Sequence, residues 1–318
     1  MVFRSVIPAL IALLASAGIA GAEERGTLTF TVENDVFSGQ DRHYTNGLRV
    51  GYVTAPVGGS AFERMFAGDE DVVRRGFAAG QQIYTPDDIF VDVPDEDDHP
   101  YAGYLFGEYS VLTENARQWR LFTVELGVIG PWALGEETQN WFHRTFGYAE
   151  AEGWDSQLDN EPALNLSYDW KGRPWAEGQW GALDIELTPV AGASLGTVDI
   201  NARLGAMLRL GPRLGSDFGP ARIRPSLTGS GHYSASGPWY VFAGVEGRAV
   251  GHDVFIDGSL FQDGPSTDKE TFVVDAQAGI ALRMGRAQIA WTMVARSKRY
   301  QTQDEADVFG AVSIGFKL

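Results

Sequence analysis

The chain has 318 residues, no cysteine and a formal net charge of −17. So acidic a chain is a poor match for nucleic acid, and an exported protein without disulfides must rely on a large core or a closed sheet. Glycine at 39 residues and aromatics at 12% suit barrel strands with tight turns and aromatic girdles.

Residues 1–22, MVFRSVIPALIALLASAGIAGA, combine Arg4, an apolar stretch and a small-residue end at Ala20-Gly21-Ala22. This is the pattern of a secretory signal, predicting a mature chain of 23–318 that starts at Glu23 with a net charge of −18 once Arg4 is lost. No later apolar run is long enough for a membrane-spanning helix. The mature protein is therefore either soluble or a single β-barrel domain in an outer membrane.

Period-2 alternation recurs to the C-terminus in stretches of about ten residues. Twelve strands are expected, at about 27–34, 44–54, 76–84, 102–113, 117–130, 160–171, 180–195, 198–211, 238–250, 271–284, 286–299 and 307–317. From Arg120 to Gly130, Phe122, Val124, Leu126 and Val128 make one face continuously apolar, while Glu125 lies on the other. In 198–211, Arg203 and Arg209 share a face, which suits a polar barrel interior better than a dry sandwich core. The fold class is thus all-β, a twelve-stranded antiparallel transmembrane barrel with a short helix in an extracellular loop. Trp119, Tyr168, Trp170, Trp180, Trp239 and Tyr240, near strand ends, are expected in membrane-interface belts. The irregular stretch Gly211–Gly237 falls on the periplasmic side of this count.

If the first strand runs outward, the loops after strands one, three and five share the extracellular rim, and they hold nearly every unusual polar cluster. The first carries Asn34 and Asp35, and beyond it Thr45 opens the second strand. Asn34-Asp35 reads either as an Asx turn or, with Thr45 opposite, as a group of hard oxygens suited to Ca²⁺. The next loop carries His99 beside Asp97 and Asp98, which solvated loop polarity explains. His43, His232 and His252 have no partner that stands out.

The third loop, Gly130–Glu161, holds the one clear helical stretch, TQNWFHRTF at 138–146, with Glu136 and Glu137 where the helix dipole favours acids. Gln139, Phe142, His143 and Phe146 lie on one face. The expectation is that the two rings dock the helix on the barrel while Gln139 and His143 face a substrate. No GxSxG elbow or Ser/His/Asp spacing marks a triad, so a hydrolase here would use water activated by His143. Gly153-Trp154-Asp155 reads as a lock holding the helix to the rim.

The segments ENDVF (33–37), DRHYTNGLRVGY (41–52), GQQIYTPDD (80–88), DHPYAGYL (98–105), GVIGPWALGEETQNWFH (127–143) and GWDSQLDNEP (153–162) resemble, in order, the outer-membrane lipid A 3′-O-deacylase (LpxR-like) family. The resemblance implies a twelve-stranded barrel whose site lies between its outer wall and a helix from an extracellular loop. It also implies a Ca²⁺-dependent esterase acting on lipid A or lipopolysaccharide among outer-membrane lipids, with a histidine activating water and the cation stabilising the oxyanion. By position, Asn34, Thr45, Gln139 and His143 match its catalytic residues, and Asp35 its metal ligand. The family's acid a few residues past the histidine has no counterpart in register; Ala149 stands near that place, with Glu150 and Glu152 close by. The competing readings are a non-catalytic barrel, either pore or structural protein, and a soluble secreted β-sandwich.

Overall fold

The computed structural model describes residues 25–39, 42–68, 71–116, 118–214, 219–223, 227, 229, 231–233 and 237–318; the expected signal segment lies outside them. The strands are β1 (Thr27–Asn34), β2 (His43–Val53), β3 (Val72–Thr85), β4 (Ala102–Glu114), β5 (Trp119–Ile129), β6 (Glu161–Lys171), β7 (Ala176–Trp180), β8 (Leu183–Gly196), β9 (Asp199–Gly211), β10 (Trp239–Asp253), β11 (Phe272–Met284), β12 (Ala287–Arg296) and β13 (Asp307–Lys317). All pairings are antiparallel. β1 closes on β13, and β6 closes on β8. Twelve strands therefore complete a barrel without free edges, the arrangement that satisfies every backbone group in hydrocarbon. β7 lies outside that ring, continuing the β8 hairpin past the rim through pairs from Ala176–Leu187 to Trp180–Leu183. The strand expected at 180–195 is β8, and a turn at Gly181, whose φ of 64° suits glycine, sets the additional strand β7 before it.

The alternation explains which face is which. In β1, Thr27, Thr29, Thr31 and Glu33 are buried, while Phe30 and Val32 are 48% and 38% exposed. The apolar side chains look outward and the polar ones line the lumen, as a lipid surround requires. Arg203 and Arg209 are buried inside, bridging to Asp169 at 2.6 Å and to Glu186. Arg49–Glu108, Arg74–Glu114 and Arg296–Asp275 fill the lumen in the same way. Two of the expected belt residues belong to this interior. Trp119 is 1% exposed under Lys171, and Tyr240 is 2% exposed beneath Arg209. Alternation puts them on the inward face, which nearness to a strand end alone does not reveal.

The stretch 212–238 corrects a second expectation. It leaves the rim where the N-terminal end of β1 lies, but its described residues run inside the barrel. Arg222 bridges Glu33 at 2.6 Å and donates to Gln277 at 2.9 Å, and the Leu227 carbonyl accepts from Gln277. Thr29 reaches the Gly231 carbonyl, and Tyr233 bonds the Arg286 carbonyl. A segment rich in glycine and small residues can thread a lumen crowded with side chains, and luminal charges hold it there.

Three helices sit in loops: α1 (Ala61–Arg64), α2 (Gly135–Phe146) and α3 (Val254–Asp257). Strand directions put Asn34, His43, Thr85, Ala102, Ile129, Glu161 and α2 at one rim. Thr27 and Lys317 pair at the other.

Candidate functional site

α2 follows a turn at Pro131–Ala133 and starts where Leu134 takes a left-handed φ of 58°. It ends at Gly147, whose φ of 81° lets its N–H cap the His143 carbonyl. The helix lies on the outer wall. Gln81, on the same face of β3 as exposed Phe77, donates to the Ala133 and Leu134 carbonyls at 2.6 and 3.1 Å. Gly103 of β4 meets Gly135 so closely that an added Cβ would stand 3.1 Å from the Gly135 nitrogen. Ile83, Ile89, Tyr101, Ala151 and Trp154 form the small apolar core beneath this loop.

The expected orientation of α2 is reversed. Its buried residues are Gly135, Gln139, Asn140 and His143, whereas Phe142 is half-buried and Phe146 is 44% exposed. The polar face turns inward because the chain after the helix folds back along it and meets each polar group. Trp154 donates its indole N–H to Gln139 Oε1 at 2.9 Å, and the Ala151 N–H donates to Asn140 Oδ1 at 3.0 Å. His143 Nδ1 lies 2.5 Å from the Ala149 carbonyl oxygen. A carbonyl only accepts, so Nδ1 carries a proton, and the tautomer this selects has its lone pair on Nε2, the nitrogen a general base needs. The backbone at Ala149 thus holds the imidazole, the place for which the sequence offered no certain acidic match. Glu150 is paired with Arg144 at the surface, and Glu152 is exposed.

The loop-one residues meet the same outer face. Asn34 continues the outward row of Phe30 and Val32, and its register partner is Asn46, which faces Ile83 across β3 and so Gly103 across β4. Asn34 Nδ2 donates to Asn46 Oδ1 at 3.3 Å, and Asn34 Oδ1 caps the Val36 N–H at 2.8 Å. The β2 register shifts between Tyr44 and Asn46, leaving Thr45 in a bulge where its hydroxyl meets that of Thr85 at 2.7 Å. Asp35 is 4% exposed, and its Oδ2 accepts from the Arg42 N–H at 2.6 Å. From Asn34 to the docked start of α2 the wall spans three strand spacings, roughly 14 Å. Asn34, Thr45, Gln139 and His143 thus belong to one rim and one outer surface, with Asp35 folded into the loop beside Asn34.

Asp35 with the oxygens of Asn34, Asn46 and Thr45 is chemically suited to a hard cation. Among the described residues no group of three Asp, Glu, His or Cys side chains could hold a metal ion, and the neutral oxygens of Asn34, Asn46 and Thr45 would share a cation with Asp35.

Two histidines read as unremarkable are tied into this rim. His99 is fully buried, with Nε2 3.0 Å from Arg299 Nη1; burial first, then the Arg299 charge, holds its pKa well below the usual imidazole value. His43 Nδ1 lies 2.6 Å from Asp307 Oδ1 and its Nε2 2.8 Å from the Tyr300 hydroxyl, joining β2 to β13.

The family model described as "Outer membrane protein LpxR" matches residues 5–318. Comparison with curated proteins gives no match. Among solved structures, LpxR from Salmonella typhimurium aligns at a TM-score of 0.76 with 19% identity, covering 92% of this chain and 100% of that one. The β-domain of the Bordetella autotransporter BrkA aligns at 0.44 with 10% identity (92% and 98% covered), and the NalP translocator domain from Neisseria meningitidis at 0.38 with 11% (100% and 96%).

Proposed function

The chain belongs to the family of outer membrane protein LpxR, and from that premise we propose that it is a lipid A deacylase hydrolysing the 3′-linked acyl ester at the outer wall of its barrel. The rim bearing α2 faces the cell exterior in this reading, beside the outer leaflet where lipopolysaccharide lies. The observation that carries it is His143, a buried imidazole in a helix docked on the outer wall of the barrel, whose Nδ1 is held by the Ala149 carbonyl.

His143 Nε2 takes a proton from water as it attacks the ester carbonyl, then returns it to the leaving sugar oxygen. Gln139, one turn earlier on the same buried face, donates from its amide to the carbonyl oxygen as charge develops there in this reading. Asn34 and Thr45 line the approach along β1 and β2 and orient the substrate's polar part. Asp35, with neighbouring neutral oxygens, would hold Ca²⁺, which supplies positive charge for the developing oxyanion. One carboxylate and neutral ligands give a weak site, with a Kd on the order of 10⁻⁴–10⁻³ M by analogy with extracellular calcium modules.

The test is release of the 3′-acyl group from purified lipid A by protein in Ca²⁺ and in chelator, alongside Asp35→Ala. Activity in Ca²⁺ that is lost in chelator and in the variant is expected. Undiminished release in chelator, or by Asp35→Ala, would remove the cation from the mechanism.

A further inference from the structure

Trp154 lies outside the five residues discussed as the site, yet it makes one contact that decides how the site works. Gln139 is 4% exposed, and its Nε2 is buried without a hydrogen-bond partner among the described residues. A buried amide donor left unpaired by protein is costly, and it is open to a partner on a bound molecule. The orientation of that amide follows from chemistry. An indole N–H can only donate, so Trp154 Nε1 at 2.9 Å must meet the amide oxygen and not its nitrogen. The –NH₂ group is thereby turned away from the indole, and Gln139 lies one helical turn from His143.

Resting on the deacylase reading, we propose that Trp154 is a positioning residue that fixes the Gln139 amide so that Nε2 is presented to the ester carbonyl of the acyl substrate. Trp154 is itself held rigidly. It is 3% exposed, its ring packs on Tyr101 at 4.8 Å, and a Cβ on Gly135 would stand 2.8 Å from it. The indole therefore cannot turn away to release the amide without disturbing the docking of α2. Nε2 is closed off from water in the free protein, so the ester carbonyl meets it only where bound substrate opens the space beside the amide, a dry setting in which such a donor is worth most.

Trp154→Phe keeps an aromatic ring at this place but removes the N–H donor together with the five-membered ring, so the Trp154 effect is read together with Gln139→Glu. Trp154→Phe should lower kcat by roughly tenfold or more while KM stays near the parent value, a fraction of what a whole oxyanion donor supplies. Gln139→Glu, nearly isosteric and able to accept from the indole, removes the donor itself and should lower kcat by on the order of a hundred- to a thousandfold. Adding Trp154→Phe to Gln139→Glu should cost little more, because the two act as one unit. Parent kcat in Trp154→Phe, or in Gln139→Glu, would overturn the proposal, as would fully multiplicative losses.

A readout free of catalysis separates this from the reading beneath it. In ¹⁵N-tryptophan-labelled protein in micelles, the Trp154 indole signal, assigned by its loss in Trp154→Phe, should move in Gln139→Leu. An unmoved signal would show that the contact is not made. A parent that releases no acyl group while the signal moves would remove the deacylase reading and leave the Trp154–Gln139 contact standing.

Discussion

At the scale of single residues, the site turns on how His143 is held. Its Nδ1 proton goes to the Ala149 carbonyl, a dipole that fixes the tautomer without adding a charge beside the ring. Neither nearby carboxylate holds the ring in this account, since Glu150 faces Arg144 and Glu152 is exposed. Glu150→Gln and Glu152→Gln should each deacylate within about threefold of the parent, which initial rates on lipid A would check; a loss on the scale of a missing general base, a hundredfold or more, would return the supporting role to a side chain. The sequence makes His143 and Gln139 stand out by shared helical face and residue type. It does not reveal the Ala149 carbonyl or the Trp154 indole as their partners, because a backbone oxygen has no signature and an indole 15 residues away declares no direction.

At the scale of the element, α2 depends on two glycines. Gly103 and Gly135 let helix and wall approach until no side chain fits between them, the usual reason for glycine where backbones meet. Gly103→Val should push α2 off β3 and β4 and abolish acyl release, while the barrel's heat-modified gel shift persists. Parent-level activity in that variant would mean that the helix acts without this seat. The helix itself was legible from its acids, its periodicity and its closing glycine. Its facing was not: periodicity tells which residues share a side, whereas the returning segment 149–154 decides which side is buried.

At the scale of the whole molecule, twelve alternating strands were readable because lipid allows only apolar side chains outward. Where contacts join residues far apart in sequence, as Arg222 joins Glu33, no local pattern announces them, so the luminal place of Arg222, Leu227 and Gly231 was missed. The described residues of 212–238 and the luminal ion pairs occupy the lumen, and the protein in planar bilayers should show no steady conductance; discrete, stable channel openings would favour the pore reading. The central claim is that the α2 imidazole is the base of an esterase on the outer wall. Mass spectrometry of lipid A incubated with the purified protein in Ca²⁺, beside a His143→Asn variant whose heat-modified gel shift matches the parent, tests it most directly. The account predicts loss of the 3′-acyl mass with the parent and a rate lower by about a hundred- to ten-thousandfold with the variant. Acyl release by His143→Asn within a few-fold of the parent would contradict it.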